Sequence, residues 1–138
     1  MRLNNSIMFP FTNTAIESNM TPAKIAADYF HGPERYNCAQ AVLKTFQEKH
    51  QIDDETIAKF KAFGGGRADQ GLCGALFAAT VLLKDTELLE TLTQKFKERT
   101  SATTCRQIRK AGILSCRECV ALAAELVEEL TETQGVAS

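Results

Sequence analysis

The sequence predicts an all-α fold, a small single-domain bundle of about five to seven helices. Three observations predict it. Apolar residues recur at three- and four-residue spacing in successive segments, capping residues stand at the segment starts, and no segment alternates with period two over a useful length. Residues 1–20 are polar, rich in Asn, Ser and Thr with Pro10 among them, and read as a loosely ordered arm; the helical domain is assigned to residues 21–138. Thr21-Pro22 is an N-cap followed by proline at the first helical position, and Ile25, Ala26, Tyr29 and Phe30 form the stripe that His31-Gly32-Pro33 ends. A second helix is expected from about Cys38 to His50, with Cys38, Val42 and Phe46 at i, i+4 and i+8. Asp53 caps a third that carries Ile57 and Phe60 and stops at Gly64-Gly65-Gly66. The fourth, about Leu72 to Lys84, is apolar all round and is expected to be the buried central helix. Asp85 caps a fifth with Leu88, Leu89, Leu92 and Phe96 on one side. Cys105 to Lys110 is a short helical turn, and the last helix, about Cys116 to Thr131, places Cys119, Val120, Leu122, Ala123, Leu126, Val127 and Leu130 at helical spacing.

Composition narrows the function. A chain of 138 residues and 15.2 kDa supports one core without staples. Its 16 basic and 17 acidic residues leave a net charge of -1, which argues against nucleic acid as a partner. The apolar run Leu72 to Leu83 is too short to span a bilayer, so no membrane is expected. Residues 1–19 lack the sustained apolar stretch of a secretory signal. The expectation is a cytoplasmic, reduced chain, whose five cysteines are then not a disulfide framework.

The cysteines share a local pattern. Asn37-Cys38-Ala39-Gln40, Thr104-Cys105-Arg106-Gln107 and Ser115-Cys116-Arg117-Glu118 each read as a capping box, which puts the sulfur at the first helical position. Unpaired N–H groups and the positive end of the helix dipole favour thiolate there, by about 0.3–1 kcal/mol for the dipole. That is under one pKa unit, and Arg106 and Arg117 are candidates to add to it. Cys73 follows a glycine-rich turn at the mouth of the apolar helix. Gly64, Gly65, Gly66 and Gly74 allow close backbone approach to a bound group, although the turn lacks a P-loop ending. Cys116 and Cys119 form a Cys-x-x-Cys at a helix start, a redox arrangement; Val120 follows rather than His, so there is no c-type haem attachment motif. His31 and His50 read as turn and helix-end residues, and Glu125, Glu128, Glu129 and Glu132 as the wet face of the last helix.

Taken together, Tyr36 to Leu43, Phe63 to Gly66, Gly71 to Leu76, Cys105 to Ile108 and Cys116 to Val120 resemble the redox-active family named for its cysteine pattern, C-GCAxxG-C-C. The resemblance implies a helical fold and a redox or metal-cluster role, with Cys38, Cys73, Cys105 and Cys116 as the family's four cysteines. Cys119 is an addition to that pattern, and Ala78 stands where the family has glycine.

Several readings follow. In a thiol-dependent oxidoreductase, Cys38 would pair with Cys73, and Cys105 with Cys116 or Cys119, in exchange with an unknown redox partner. In a metal protein, Cys38, Cys73, Cys105 and Cys116 would hold zinc or an iron–sulfur cluster, although their spacings match no standard pattern. In a non-catalytic interaction module or homodimer, the apolar cluster Ile7, Met8 and Phe9 would dock. The plainest reading is that the cysteines are small apolar fillers of the core.

Overall fold

The computed structural model describes residues 21–133. The N-terminal arm, with Ile7, Met8 and Phe9, lies outside the described residues. Within them are seven α-helices: α1 (Pro22–Tyr29), α2 (Cys38–Thr45), α3 (Asp54–Lys59), α4 (Gly74–Leu82), α5 (Thr86–Thr100), α6 (Cys105–Ala111) and α7 (Cys116–Thr133). Two 3-10 turns, Phe60–Phe63 and Asp69–Gly71, precede α4. There is no strand among the described residues, only the isolated bridges Phe30 with Tyr36 and Leu72 with Thr104. The all-α expectation holds. No described helix is long and apolar enough to cross a membrane.

The helices start where the capping residues stand. Thr21, Asn37, Asp53, Asp85 and Thr104 each accept a backbone N–H from the first turn of the helix that follows. The reciprocal box closes at Asn37 with Gln40 and at Ser115 with Glu118. At Thr104 it is incomplete, because the Gln107 side chain meets the threonine hydroxyl instead of the backbone N–H.

Two helices are shorter than their apolar periodicity predicts. α2 ends at Thr45, and the chain continues in turns to Gln51. Phe46, 2% exposed, belongs to the core, and Gln51 at φ 57 turns the backbone out of any helical path. His50 is therefore not in a helix end. Burial and the charges of Lys49 and Lys84 lower its pKa, which leaves it neutral at pH 7. α3 tightens into the 3-10 turn Phe60–Phe63, whose two rings meet Phe77 of α4 at 5.7 and 5.1 Å between centroids.

α7 is the axis of the bundle. It packs on α1, α2, α4 and α5, while α2 also lies against α1 and α4. Val120, Ala123, Ala124 and Val127 of α7 are fully buried, as are Leu92 and Phe96 of α5. α4 is central as expected, with Ala75, Ala78 and Ala79 fully buried, but Val81 on its outer side is 36% exposed. Ala78 is accommodated at the position of the family's glycine. Glu125, Glu129 and Glu132 face solvent, and Lys49–Glu128 and Lys95–Glu129 pair across at 3.0 and 3.1 Å.

Asn37 ties the first half together. Besides capping α2, its amide donates to the carbonyls of Phe60 and Lys61, at 3.2 and 2.9 Å. Replacing it removes a cap worth about 1 kcal/mol and two bonds worth about 1 kcal/mol each, leaving the Lys61 carbonyl only the longer bond from Arg67 at 3.4 Å. Asn37→Ala is expected to lower the urea midpoint of the reduced protein by the equivalent of about 2–3 kcal/mol. Thr21→Ala, a cap with no second task, should cost about 1 kcal/mol. Equal losses from the two would refute the bridging role.

Candidate functional site

All five cysteines line one cavity of about 810 Å³. Short backbone links gather them. The Cys73 N–H donates to the Thr103 carbonyl at 2.8 Å, and the Leu72–Thr104 bridge continues the contact. The start of α4 and the start of α6 are thereby held side by side, with Cys73 as the N-cap residue of one and Cys105 as the first residue of the other. Upstream of Cys38, the Phe30–Tyr36 bridge and the His31 N–H on the Tyr36 carbonyl, 2.9 Å, pin the entry to α2. Cys116 opens α7, and the Cys119 N–H closes the first helical bond of that turn onto the Ser115 carbonyl at 2.9 Å.

The glycines shape this cavity. Gly65, at φ 62, turns its N–H onto the Cys38 sulfur. Gly74 lies so close to Cys38 that a Cβ there would strike the Cys38 sulfur and come within 2.8 Å of the Phe63 carbonyl. Gly64 presses on Asn37 in the same way. Arg67 donates to the Gly64 carbonyl at 3.0 Å and braces the turn. Gly66 lies beside Cys105.

The sulfurs differ in environment. Burial pushes Cys38 up to about 11, helped by Cys73 and opposed by the N–H groups of Gly65 and Ala39. Cys73 is held well above the ordinary thiol range, first because it donates its hydrogen to Cys119 and second because it is buried; the N–H groups of Leu76 and Ala75 work the other way. Cys119 is the counterpart. The bond from Cys73 lowers its pKa against the opposing effects of burial and of Cys116. Burial also raises Cys105, and Arg109 partly offsets it. Helix starts therefore do not by themselves make these thiols acidic: desolvation leads at Cys38 and Cys105, and at Cys73 the bond to Cys119 leads with burial second.

Of the two expected arginines, Arg117 lines the cavity but pairs with Asp28 at 3.0 Å, and Arg106 is exposed and does not line it. Arg109 lines it as well, with its guanidinium 4.0 Å from the Cys116 sulfur. The signal for it was its place four residues after Cys105, on the same helix face. His31, Phe30 and Ile113 also line the cavity; His31 stacks on Phe30, and Ile113 is 56% exposed.

No disulfide joins the five cysteines. The thiols whose interaction most affects their ionisation are Cys73 and Cys119. Among the described residues no group of three or more His, Cys, Asp or Glu side chains is disposed to hold a metal ion.

Residues 36–130 match the family described as "Putative redox-active protein (C_GCAxxG_C_C)". Searches of curated proteins and of solved structures return no match.

The environment of Cys38 predicts a pH dependence of stability. Its pKa is higher folded than unfolded, so above pH 9 the unfolded chain loses this proton first and stability falls until about pH 11. A shift of this size corresponds to about 2–3 kcal/mol. Urea unfolding of the reduced protein between pH 8 and about pH 11 should show Cys38→Ser losing less stability than the wild type, by about 2–3 kcal/mol. Parallel curves would show that Cys38 ionises alike in both states.

Proposed function

The chain belongs to the C_GCAxxG_C_C family, and on that premise we propose that it is a thiol–disulfide redox protein whose working couple is Cys73 and Cys119. The observation that carries this is the convergence of all five cysteines on one cavity, in which the two buried ones, Cys73 and Cys119, shift each other's ionisation in opposite directions. Their environments divide the labour. Cys119, with its lowered pKa, is the sulfur of the two that ionises first; Cys73 keeps its proton in reserve.

The oxidant is a disulfide of a partner molecule. Bond formation between the Cys73 and Cys119 sulfurs gives up two electrons, and the partner's sulfur–sulfur bond accepts them and breaks into a thiol and a thiolate. The Cys73 proton leaves with the departing thiol. Loss of the Cys119 charge during this exchange removes the largest influence that holds the Cys73 proton in place, so the second thiol becomes reactive when it is needed. The N–H groups of Leu76 and Ala75 remain to stabilise its thiolate.

The test is disulfide mapping. Reduced protein is oxidised with diamide, blocked with iodoacetamide and digested, and a Cys73–Cys119 linked peptide pair is expected. Cys73→Ser and Cys119→Ser should each abolish it. Oxidation that joins other cysteines while these two remain alkylatable would overturn the assignment. So would protein purified without air that carries iron and a visible absorption band lost on mutating Cys38 or Cys105.

A further inference from the structure

Accessibility raises a problem that the couple does not solve. Cys119 is 2% exposed and Cys73 is 7% exposed, so a partner disulfide cannot reach either sulfur in line. Cys116 is less buried than both, and it lies three residues before Cys119 on the first turn of α7. Residues at that separation are neighbours on a helix surface. Arg109 holds its guanidinium 4.0 Å from the Cys116 sulfur, beside the charge this sulfur carries as a nucleophile or a leaving group. Arg117 also lines the cavity but is paired with Asp28, and Arg109 is the guanidinium that reaches the Cys116 sulfur. Cys105 shares the rim but stands on another helix.

We propose that Cys116 is the entry thiol, which passes a disulfide inward from the partner to the buried couple. This rests on the Cys73–Cys119 reading. The Cys116 thiolate attacks a disulfide R–S–S–R′, forms a mixed disulfide with R–S and releases R′–S⁻. The Cys119 thiolate then attacks the Cys116 sulfur, expels R–S⁻ and closes a Cys116–Cys119 disulfide, the bond that a Cys-x-x-Cys at a helix start makes in oxidoreductases. Cys73 finally attacks the Cys119 sulfur and gives its proton to R–S⁻. The Cys116 thiolate is returned beside Arg109, and the Cys73–Cys119 disulfide remains. Two electrons have moved to the partner, which leaves as R–SH and R′–S⁻.

Glutathione disulfide serves as a bulky probe and hydrogen peroxide as a small one, each mixed with reduced protein, quenched in acid and mapped. In Cys116→Ser, formation of the Cys73–Cys119 disulfide by glutathione disulfide should slow on the order of tenfold or more, while peroxide closes it at the wild-type rate and reports that the couple is intact. In Cys119→Ser the relay stalls after its first step, and glutathione accumulates on Cys116. A Cys116→Ser protein that glutathione disulfide oxidises at the wild-type rate would overturn the relay and leave the couple standing. Absence of a Cys73–Cys119 disulfide from the wild type with both oxidants would remove the couple, and the relay with it.

Discussion

One backbone hydrogen bond, from the Cys73 N–H to the Thr103 carbonyl at 2.8 Å, sets the geometry on which the cavity depends. It joins two chain segments that no helix contains, the approach to α4 and the approach to α6, and so lays two helix starts next to each other. α6 is short and ends in Gly112 at φ 68, which returns the chain within a few residues to the start of α7. Three cysteine-bearing helix starts thus follow from one crossing and one tight return. The fourth, that of α2, is brought in by Gly74, whose missing side chain leaves room for the Cys38 sulfur.

Within that cavity, two effects of opposite sign compete. Helix starts offer N–H groups to a thiolate, and Cys38 and Cys73 both receive them. Burial removes water from the same sulfurs. A contribution below one pKa unit from the dipole cannot offset a desolvation that carries Cys38 to about 11. Cys119 differs from Cys38, Cys73 and Cys105 in that its pKa is lowered, and the neighbouring Cys73 thiol achieves it. The acid–base asymmetry between Cys73 and Cys119 therefore arises from sulfur–sulfur interaction, which no local sequence pattern encodes.

Much of the fold was legible because it is written locally. Thr21, Asn37, Asp53, Asp85, Thr104 and Ser115 mark helix starts by chemistry that acts over three residues, and each start was located from it. Helix ends were less legible: Phe46 keeps the apolar period of α2 yet lies beyond its end, since periodicity reports which residues are buried and not whether the backbone between them is helical. That the cysteines converge was legible from their pattern, but the differences between their environments were not. Whether Cys73 faces Cys38 or Cys119 depends on how α7 rotates against α4, which is settled by packing of Val120, Ala123 and Val127 rather than by any residue near the sulfurs. Adjacency to a cysteine in sequence does not identify the guanidinium that reaches a sulfur, because neighbours along a helix point apart: Arg109, four residues after Cys105, reaches Cys116, while Arg117 pairs with Asp28.

Cys119 lies outside the family's four-cysteine pattern, and its environment explains what an added thiol contributes. Charge on one buried thiol opposes ionisation of the next: Cys119 raises the pKa of Cys73, and Cys116 and Cys73 raise that of Cys105. Within the couple, Cys119 takes the hydrogen bond of Cys73 and is the sulfur favoured to ionise, and it lies on the helical turn whose first residue, Cys116, is the more accessible. That ordering suits sequential exchange, in which Cys119 attacks before Cys73 gives up its proton. It makes the interaction between Cys73 and Cys119, and not the number of cysteines, the feature that gives the cavity a direction.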